Sequence, residues 1–127
     1  MAGGNKNKGG RQGLVWAFDP HSGGVTPSPA VKAATEQRLR AHAEARYPGR
    51  CQQLDIRFRG PLCYVSALLV GEDAPTKLCR LRHFEANRWS VAFFAYSSET
   101  YQPSIMPNGT FFGTPEEGLE VAAVYLT

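Results

Sequence analysis

Residues 54–67 read LDIRFRGPLCYVSA, and this stretch decides the fold. On both sides of Gly60-Pro61, apolar residues alternate with charged or polar ones, which is the period of a half-buried strand. A two-residue turn with glycine first would join the two strands into a hairpin and fix their register. The predicted partners are Phe58 with Cys63, Ile56 with Val65, Leu54 with Ala67, Arg57 with Tyr64 and Asp55 with Ser66. This single turn therefore places the apolar pairs on one face and the polar pairs on the other.

A third strand is predicted over residues 77–84, after a turn rich in acidic residues, glycine and proline. Arg80 and Arg82 alternate there with apolar residues, so both arginines should share the exposed face. His83 has the opposite parity and should point inwards or to the sheet margin. We interpret it as a structural residue.

Two more strands complete the predicted sheet. Residues 89–96 are apolar on both faces, as in a strand that is covered on both sides. Either register of this strand buries aromatic residues, so the pattern leaves its register open. Residues 101–105 can add a fifth strand, but Pro103 limits it to an edge, because proline cannot donate to a central ladder.

A helix is predicted before the strands. Ser28 followed by Pro29 is typical of a helix start, and Pro48-Gly49 of a helix end near Tyr47. The inner stripe of this helix is thin and rich in small residues; its members are Val31, Thr35, Leu39, His42 and Ala43. We interpret His42 as a hydrogen-bonded core histidine rather than a catalytic base.

A second helix is predicted after the strands. Thr114, Pro115 and Glu117 have the spacing of a capping box with proline in the first turn. The apolar face of this helix continues to Leu126. Its acidic residues lie near its start, where the helix dipole favours them, so Glu116 and Glu117 are interpreted as helix-start residues.

These elements predict one α+β domain over residues 14–127. An antiparallel sheet of four to five strands is flanked by an N-terminal and a C-terminal helix, in the order α-β-β-β-β-α. Residues 1–13 have too few apolar side chains to fold and are predicted to form a flexible basic tail. The apolar run that follows should lay Trp16 and Phe18 on the core.

The composition is that of an ordinary globular domain, with 127 residues, 43% of them hydrophobic. No apolar run approaches the roughly 20 residues that cross a bilayer, and residues 1–13 lack the apolar segment of a signal peptide. We therefore expect a cytoplasmic protein.

The sequence offers no convincing site for a metal or a cofactor. The three cysteines form no C-x-x-C pair, so we expect buried thiols rather than a disulfide framework or a zinc site. Asp19 and His21 are too few to make a ligand set. A cysteine nucleophile with a histidine is conceivable, but Cys63 and Cys79 have inward parities, where thiols are usually inert. We expect no cofactor and no metal, and the sequence favours a binding protein over an enzyme.

The charge is unevenly distributed along the chain. The formal net charge is +3, and Lys6, Lys8 and Arg11 account for all of it, because the 11 acidic residues equal the remaining basic ones. Basic residues dominate residues 32–88, whereas residues 89–127 contain acidic residues and no lysine or arginine. This polarity indicates a surface that meets an acidic partner, or a pairing of oppositely charged surfaces.

Several segments resemble a group of small uncharacterised bacterial proteins. The resemblance rests on residues 55–64, 75–81, 89–101 and 107–126, the last with its Gly113 to Glu117 step, and on the segment around Trp16, Asp19 and Gly23-Gly24. It implies a recurring bacterial family. It implies no activity, cofactor or catalytic residue.

The favoured functional hypothesis is nucleic-acid binding. Arginines pair with phosphates and stack on bases, and an aromatic residue on an open sheet can stack on a base. The predicted binding residues comprise one sheet face and the basic tail: Arg57, Arg59, Tyr64, Arg80, Arg82, Lys6, Lys8 and Arg11. The element order is also superficially similar to double-stranded RNA-binding domains, but Glu116 and Glu117 stand where those domains present lysines.

Two alternatives remain open at this point. In the first, the arginine face meets an acidic protein partner, or the basic part of one chain meets the acidic part of another in a homodimer. In the second, the arginines form cross-strand ion pairs with Asp55 and Glu85 and are a solvated face.

Overall fold

The computed structural model describes residues 20–127. The predicted basic tail with Lys6, Lys8 and Arg11 lies outside the described residues, as does the segment containing Trp16, Phe18 and Asp19. The described elements are α1 (Pro29–Arg46), β1 (Cys51–Arg59), β2 (Leu62–Leu69), β3 (Thr76–Glu85), β4 (Arg88–Ala95), β5 (Thr100–Ser104), α2 (Pro115–Val121) and a 3₁₀ turn (Ala123–Leu126).

The five strands form one antiparallel sheet in the order β1-β2-β3-β4-β5, so the predicted α+β architecture is confirmed, with the fifth strand present at an edge. The hairpin has the predicted register, with Phe58 opposite Cys63 and Arg57 opposite Tyr64. Gly60 has a φ of 56°, which glycine adopts without strain in the first position of this turn.

Both helices begin as their sequences indicate. The Ser28 hydroxyl accepts a hydrogen bond from the Val31 amide at the start of α1. At the start of α2, the Thr114 side chain accepts from the Glu117 amide while the Glu117 carboxylate accepts from the Thr114 amide. These caps satisfy backbone donors that have no partner inside a helix.

The end of the second helix differs from the prediction of one helix that continues to Leu126. The α-helix ends at Val121, and the chain continues as a 3₁₀ turn in which the Tyr125 amide donates to the Ala122 carbonyl. The Tyr125 hydroxyl donates to the Phe94 carbonyl of β4 at 2.7 Å. This tertiary contact fixes a tighter turn than the helical periodicity alone would give.

The core lies between one face of the sheet and the two helices. Leu39 of α1 and Leu119 of α2 are fully buried in one cluster with Val65, Leu81 and Trp89 of the sheet. The opposite parity of β1, β2 and β3 therefore faces away from the helices. β4 is covered on both sides, as predicted, since its four consecutive residues 89–92 are each at most 2% exposed.

The helices among the described residues include none that is both long and apolar enough to cross a membrane.

Candidate nucleic-acid interface

Three of the predicted binding residues lie in one row across neighbouring strands. Arg57 of β1 pairs with Tyr64 of β2, and Tyr64 pairs in turn with Arg80 of β3. All three have the parity that faces away from the helices. The row continues to Ala92 and Pro103 on β4 and β5. The sheet therefore places one tyrosine between two arginines on its open side.

A second tyrosine, which the sequence did not predict as a site residue, joins this row. The ring of Tyr101 on β5 contacts the ring of Tyr64 edge to face, with centroids 5.7 Å apart. The guanidinium of Arg80 lies over the Tyr101 ring at 5.3 Å. Since β3 and β4 lie between the two tyrosines in the sheet, both side chains lean across the open face towards each other. We call this surface the tyrosine–arginine face; it comprises Arg57, Arg59, Tyr64, Arg80, Arg82 and Tyr101.

The aromatic contacts continue beyond this face towards the end of β4. The ring of Phe94 lies 5.0 Å from Tyr101, and the ring of Tyr96 lies 4.7 Å from Phe94. Lys77 places its ammonium 4.8 Å from the centroid of Phe94, and its amide donates to the Tyr96 hydroxyl. A continuous series of aromatic rings therefore runs from Tyr64 to Tyr96, with Arg80 and Lys77 lying over two of them.

The charge on the face is only partly neutralised. Arg57 donates to the Asp55 carboxylate at 3.0 Å, but 78% of the Arg57 side chain is exposed. An exposed pair of this kind is weak and exchanges readily with another anion. Arg59 is exposed, and its side chain makes no hydrogen bond or ion pair with the other residues of 20–127. Because Asp55 and Arg57 both lie on β1, this contact is not the cross-strand ion pair that the alternative interpretation predicted.

One end of the face is covered by the chain that precedes α1. Arg82 donates to the Gly23 carbonyl at 2.8 Å, and the Ser90 hydroxyl donates to the Pro20 carbonyl. Gly24 approaches β3 so closely that a Cβ atom there would lie 2.7 Å from the His83 carbonyl oxygen. Arg82 therefore makes a structural contact at this end of the face, whereas Arg57 and Arg80 lie one outward-facing row farther along their strands.

Burial changes the pKa of the Tyr101 hydroxyl. Removal from water raises the pKa of Tyr101, and the neighbouring Cys79 and Tyr64 raise it further, against a smaller lowering by Arg80. The hydroxyl therefore stays neutral at physiological pH, so the ring adds no negative charge to a face that would bind phosphates.

The histidines and acids that could suggest catalysis have structural partners instead. His42 Nε2 lies 2.6 Å from a carboxylate oxygen of Glu120, and the Tyr47 hydroxyl donates to the other oxygen at 2.7 Å. Glu116 accepts two hydrogen bonds from Arg38. These pairs join α1 to α2. The predicted hydrogen bond of His42 is confirmed, but its side chain is 18% exposed and lies between the two helices rather than in the core.

His83 is 6% exposed and packs against Trp89, so its predicted inward position is confirmed. Its Nδ1 lies 2.7 Å from the Val25 carbonyl, which can only accept, so Nδ1 carries a proton. Its Nε2 atom is buried and has no hydrogen-bond partner among the residues described.

The thiols are packing groups rather than poised nucleophiles. Cys63 and Cys79 are fully buried and unpaired, and desolvation raises the pKa of Cys63 to about 12. Burial also raises the pKa of Cys79. Cys51 is half-buried beside a shallow cleft of about 340 Å³ between the end of α1 and β1, where Arg40 and Tyr47 form part of the wall. Within residues 20–127, no cluster of histidine, cysteine and carboxylate side chains could hold a metal ion.

Comparisons with family models, curated proteins and solved structures found no match for this chain.

Proposed function

We propose that this protein binds nucleic acid through the tyrosine–arginine face of its sheet. The observation that carries the proposal is the row in which Tyr64 lies between Arg57 and Arg80 on three adjacent strands. Adjacent strands lie about 4.8 Å apart, so the backbone positions of the two arginines flank that of Tyr64 at the spacing of neighbouring strands. Such a row can contact phosphates and a base at the same time.

The position of the helices supports this function. Both helices pack on the opposite face of the sheet, where Leu39 and Leu119 meet the core residues of β2 and β3. Within residues 20–127, neither helix covers the face that carries Arg57 and Tyr64 on β1 and β2. The covered end near Arg82 restricts the proposed contact surface to the part that contains Arg57, Arg59 and Arg80.

The charge distribution gives less support to a homodimer held by opposite charges. The acidic C-terminal part of the chain already meets the basic first helix within one molecule, through Arg38 with Glu116 and His42 with Glu120. Contacts between α1 and α2 therefore account for part of the uneven charge distribution along the sequence.

The test begins with protein purified without nuclease, whose absorbance at 260 and 280 nm reports bound nucleic acid. Labelled DNA and RNA, each single-stranded and double-stranded, are then titrated at low and moderate salt. We expect the logarithm of the association constant to fall linearly with the logarithm of the salt concentration. The slope should be about −0.7 to −0.9 for each phosphate contact. The double variant with Arg57→Glu and Arg80→Glu should lose binding.

Arg50→Glu is the matched control, because Arg50 is exposed in the turn before β1 and outside the proposed face. Arg50→Glu changes the net charge by the same amount as Arg57→Glu or Arg80→Glu. The Arg50→Glu variant should retain most of the affinity for nucleic acid. A protein that binds none of the four nucleic acids at low salt would contradict the proposal. Equal losses from Arg50→Glu and from Arg57→Glu would also contradict it, since they would indicate a nonspecific charge effect.

A further inference from the structure

We infer that the preferred ligand is single-stranded nucleic acid, whose unpaired bases stack on tyrosines while basic side chains between them contact its phosphates. The inference deepens the proposed function and depends on it. It concerns a longer surface, which we call the stacking track; its members are Arg57, Tyr64, Arg80, Tyr101, Phe94, Lys77 and Tyr96.

The contacts along the stacking track are continuous. Tyr64 touches Tyr101, Tyr101 touches Phe94, and Phe94 touches Tyr96, with ring centroids 4.7–5.7 Å apart. Cations accompany the rings throughout, since Arg80 lies over Tyr101 and Lys77 over Phe94. Aromatic rings interleaved with cations are the pattern that binds single strands, because every base has a face that can stack.

The rings differ in how they can be used. Phe94 is 5% exposed, so it supports its neighbours rather than meeting a base. Tyr96 is 46% exposed at one end of the track, while Tyr64 and Tyr101 are half-buried against each other. The track therefore offers two stacking positions, one at the Tyr64–Tyr101 pair and one at Tyr96, with Lys77 and Arg80 between them.

A duplex would not use these features. Its bases are stacked on one another and present only their edges, so tyrosine rings on an open sheet could add little to the phosphate contacts. A single strand can turn its bases towards the sheet and keep its phosphates near the arginines. The aromatic residues therefore distinguish single strands from duplexes, whereas the arginines attract both.

The test compares a fluorescently labelled single strand of about 16 nucleotides, as RNA and as DNA, with duplexes of the same sequence. Anisotropy titrations with the full chain should show the single strands binding at least about tenfold more tightly. Tyr101→Leu and Tyr96→Leu should each weaken single-strand binding roughly 5- to 100-fold, the range expected for the loss of one stacked base. Neither change should alter the slope of affinity against salt, because no charge is removed.

The conservative variants Tyr101→Phe and Tyr96→Phe keep the rings and should retain near-normal affinity. Phe111→Leu is the matched control, since this exposed ring lies outside the stacking track and contacts His21. Circular dichroism of each variant reports whether it is folded, and the comparison of single strands with duplexes on the wild-type protein keeps the test decisive if a leucine variant unfolds.

The outcomes separate this inference from the proposed function. If duplexes bind as tightly as single strands, or if the leucine variants bind normally while Arg57→Glu and Arg80→Glu do not, the single-strand inference is overturned and the proposed function stands. If no nucleic acid binds at low salt, both fail.

Discussion

Arg38 on α1 donates two hydrogen bonds of 2.8 Å to the two carboxylate oxygens of Glu116 on α2. One turn further along both helices, His42 meets Glu120. The chain runs from 38 to 42 on α1 and from 116 to 120 on α2, and residue 38 contacts 116 while 42 contacts 120. The two helices are therefore parallel at this contact. The pairs join the first and last helices of the domain across 78 residues of sequence.

We expect Glu116→Gln to destabilise the protein by about 1 kcal/mol, the upper range for partly exposed ion pairs. The side chains are 35% and 28% exposed, so solvent screens the interaction. Urea unfolding at pH 7 measures the loss. Glu36→Gln is the matched control, because Glu36 pairs with Arg40 in an exposed i,i+4 contact of the same chemistry, worth about 0.3–0.5 kcal/mol. A larger loss for Glu36→Gln would contradict the prediction.

The same contacts make the stability depend on pH. Partial burial acts to raise the pKa of Glu120, but hydrogen bonds from Tyr47 and His42 outweigh it, so the pKa lies below its usual value. The pKa of Glu116 is likewise lowered, because the bonds and charge of Arg38 outweigh the effect of burial. A lowered folded pKa gives stability that is present above the unfolded pKa of about 4.5 and is lost as the pH falls through the folded value.

The measurement is the urea midpoint between pH 7 and pH 3. The urea midpoint of the wild-type protein should decrease once the pH drops below about 4.5. The double variant Glu116→Gln, Glu120→Gln should have a lower urea midpoint at pH 7, but its midpoint should decrease less on acidification. Parallel curves for the two proteins would mean that other carboxylates cause the acid sensitivity.

Gly118 lets α2 lie close to the sheet. A Cβ atom at this position would overlap the fully buried Leu81 side chain of β3. Alanine favours helices over glycine by about 1 kcal/mol, but overpacking a core costs about 1–3 kcal/mol. We therefore expect Gly118→Ala to give a net loss of stability of about 1 kcal/mol, measured by urea unfolding.

A double-mutant cycle identifies the cause of that loss. In a Leu81→Val background the clashing Cδ2 atom is absent, so Gly118→Ala should cost less than it does alone. An equal cost in both backgrounds would show that Leu81 is not the residue that excludes a side chain at Gly118.

The parts of the fold that the sequence predicted are those set by local rules. A two-residue turn at Gly60-Pro61 and strict alternation on both sides specify the hairpin register, and the structure has that register. The caps of both helices also depend on residues within one turn of the helix start. Only the end of α2 departs from its pattern, because the contact of Tyr125 with Phe94 is tertiary.

The parts of the site that the sequence did not predict depend on non-local register. Tyr101 of β5 lies on the open face because its partner on β4 is Phe94. Since β4 is apolar on both faces, its sequence does not show which of its residues face the core, and the side of the sheet on which Tyr101 lies could not be predicted. The contacts between the helices correspond to a sequence pattern that has several interpretations: Arg38 and His42 are four residues apart, as are Glu116 and Glu120. Nothing in the sequence alone shows that these two stripes face each other.

The three cysteines should differ in reactivity. Burial raises the pKa of all three thiols, that of Cys63 to about 12, but Cys51 is half-buried whereas Cys63 and Cys79 are fully buried and out of reach of a disulfide reagent. At about pH 8 we expect the native protein to release one equivalent from Ellman's reagent, through the half-buried Cys51, and the unfolded protein to release three. Mass spectrometry after alkylation of the native protein should locate the modification at Cys51. Prompt labelling of Cys79 in the native state would show that the sheet opens at β3.

Asp55 provides a prediction of opposite sign for the proposed interface. Its carboxylate lies on the open face, 3.0 Å from the Arg57 guanidinium, where it competes with a phosphate for that arginine. A unit charge about 6 Å from a phosphate is worth roughly 0.7 kcal/mol in water, so Asp55→Asn should raise the affinity for nucleic acid about threefold at low salt. Glu44→Gln removes the same charge from the exposed surface of α1, on the far side of the sheet, and should change the affinity much less. If both variants bind equally well, the gain reflects net charge alone; if Asp55→Asn binds more weakly than the wild type, Arg57 does not contact phosphate.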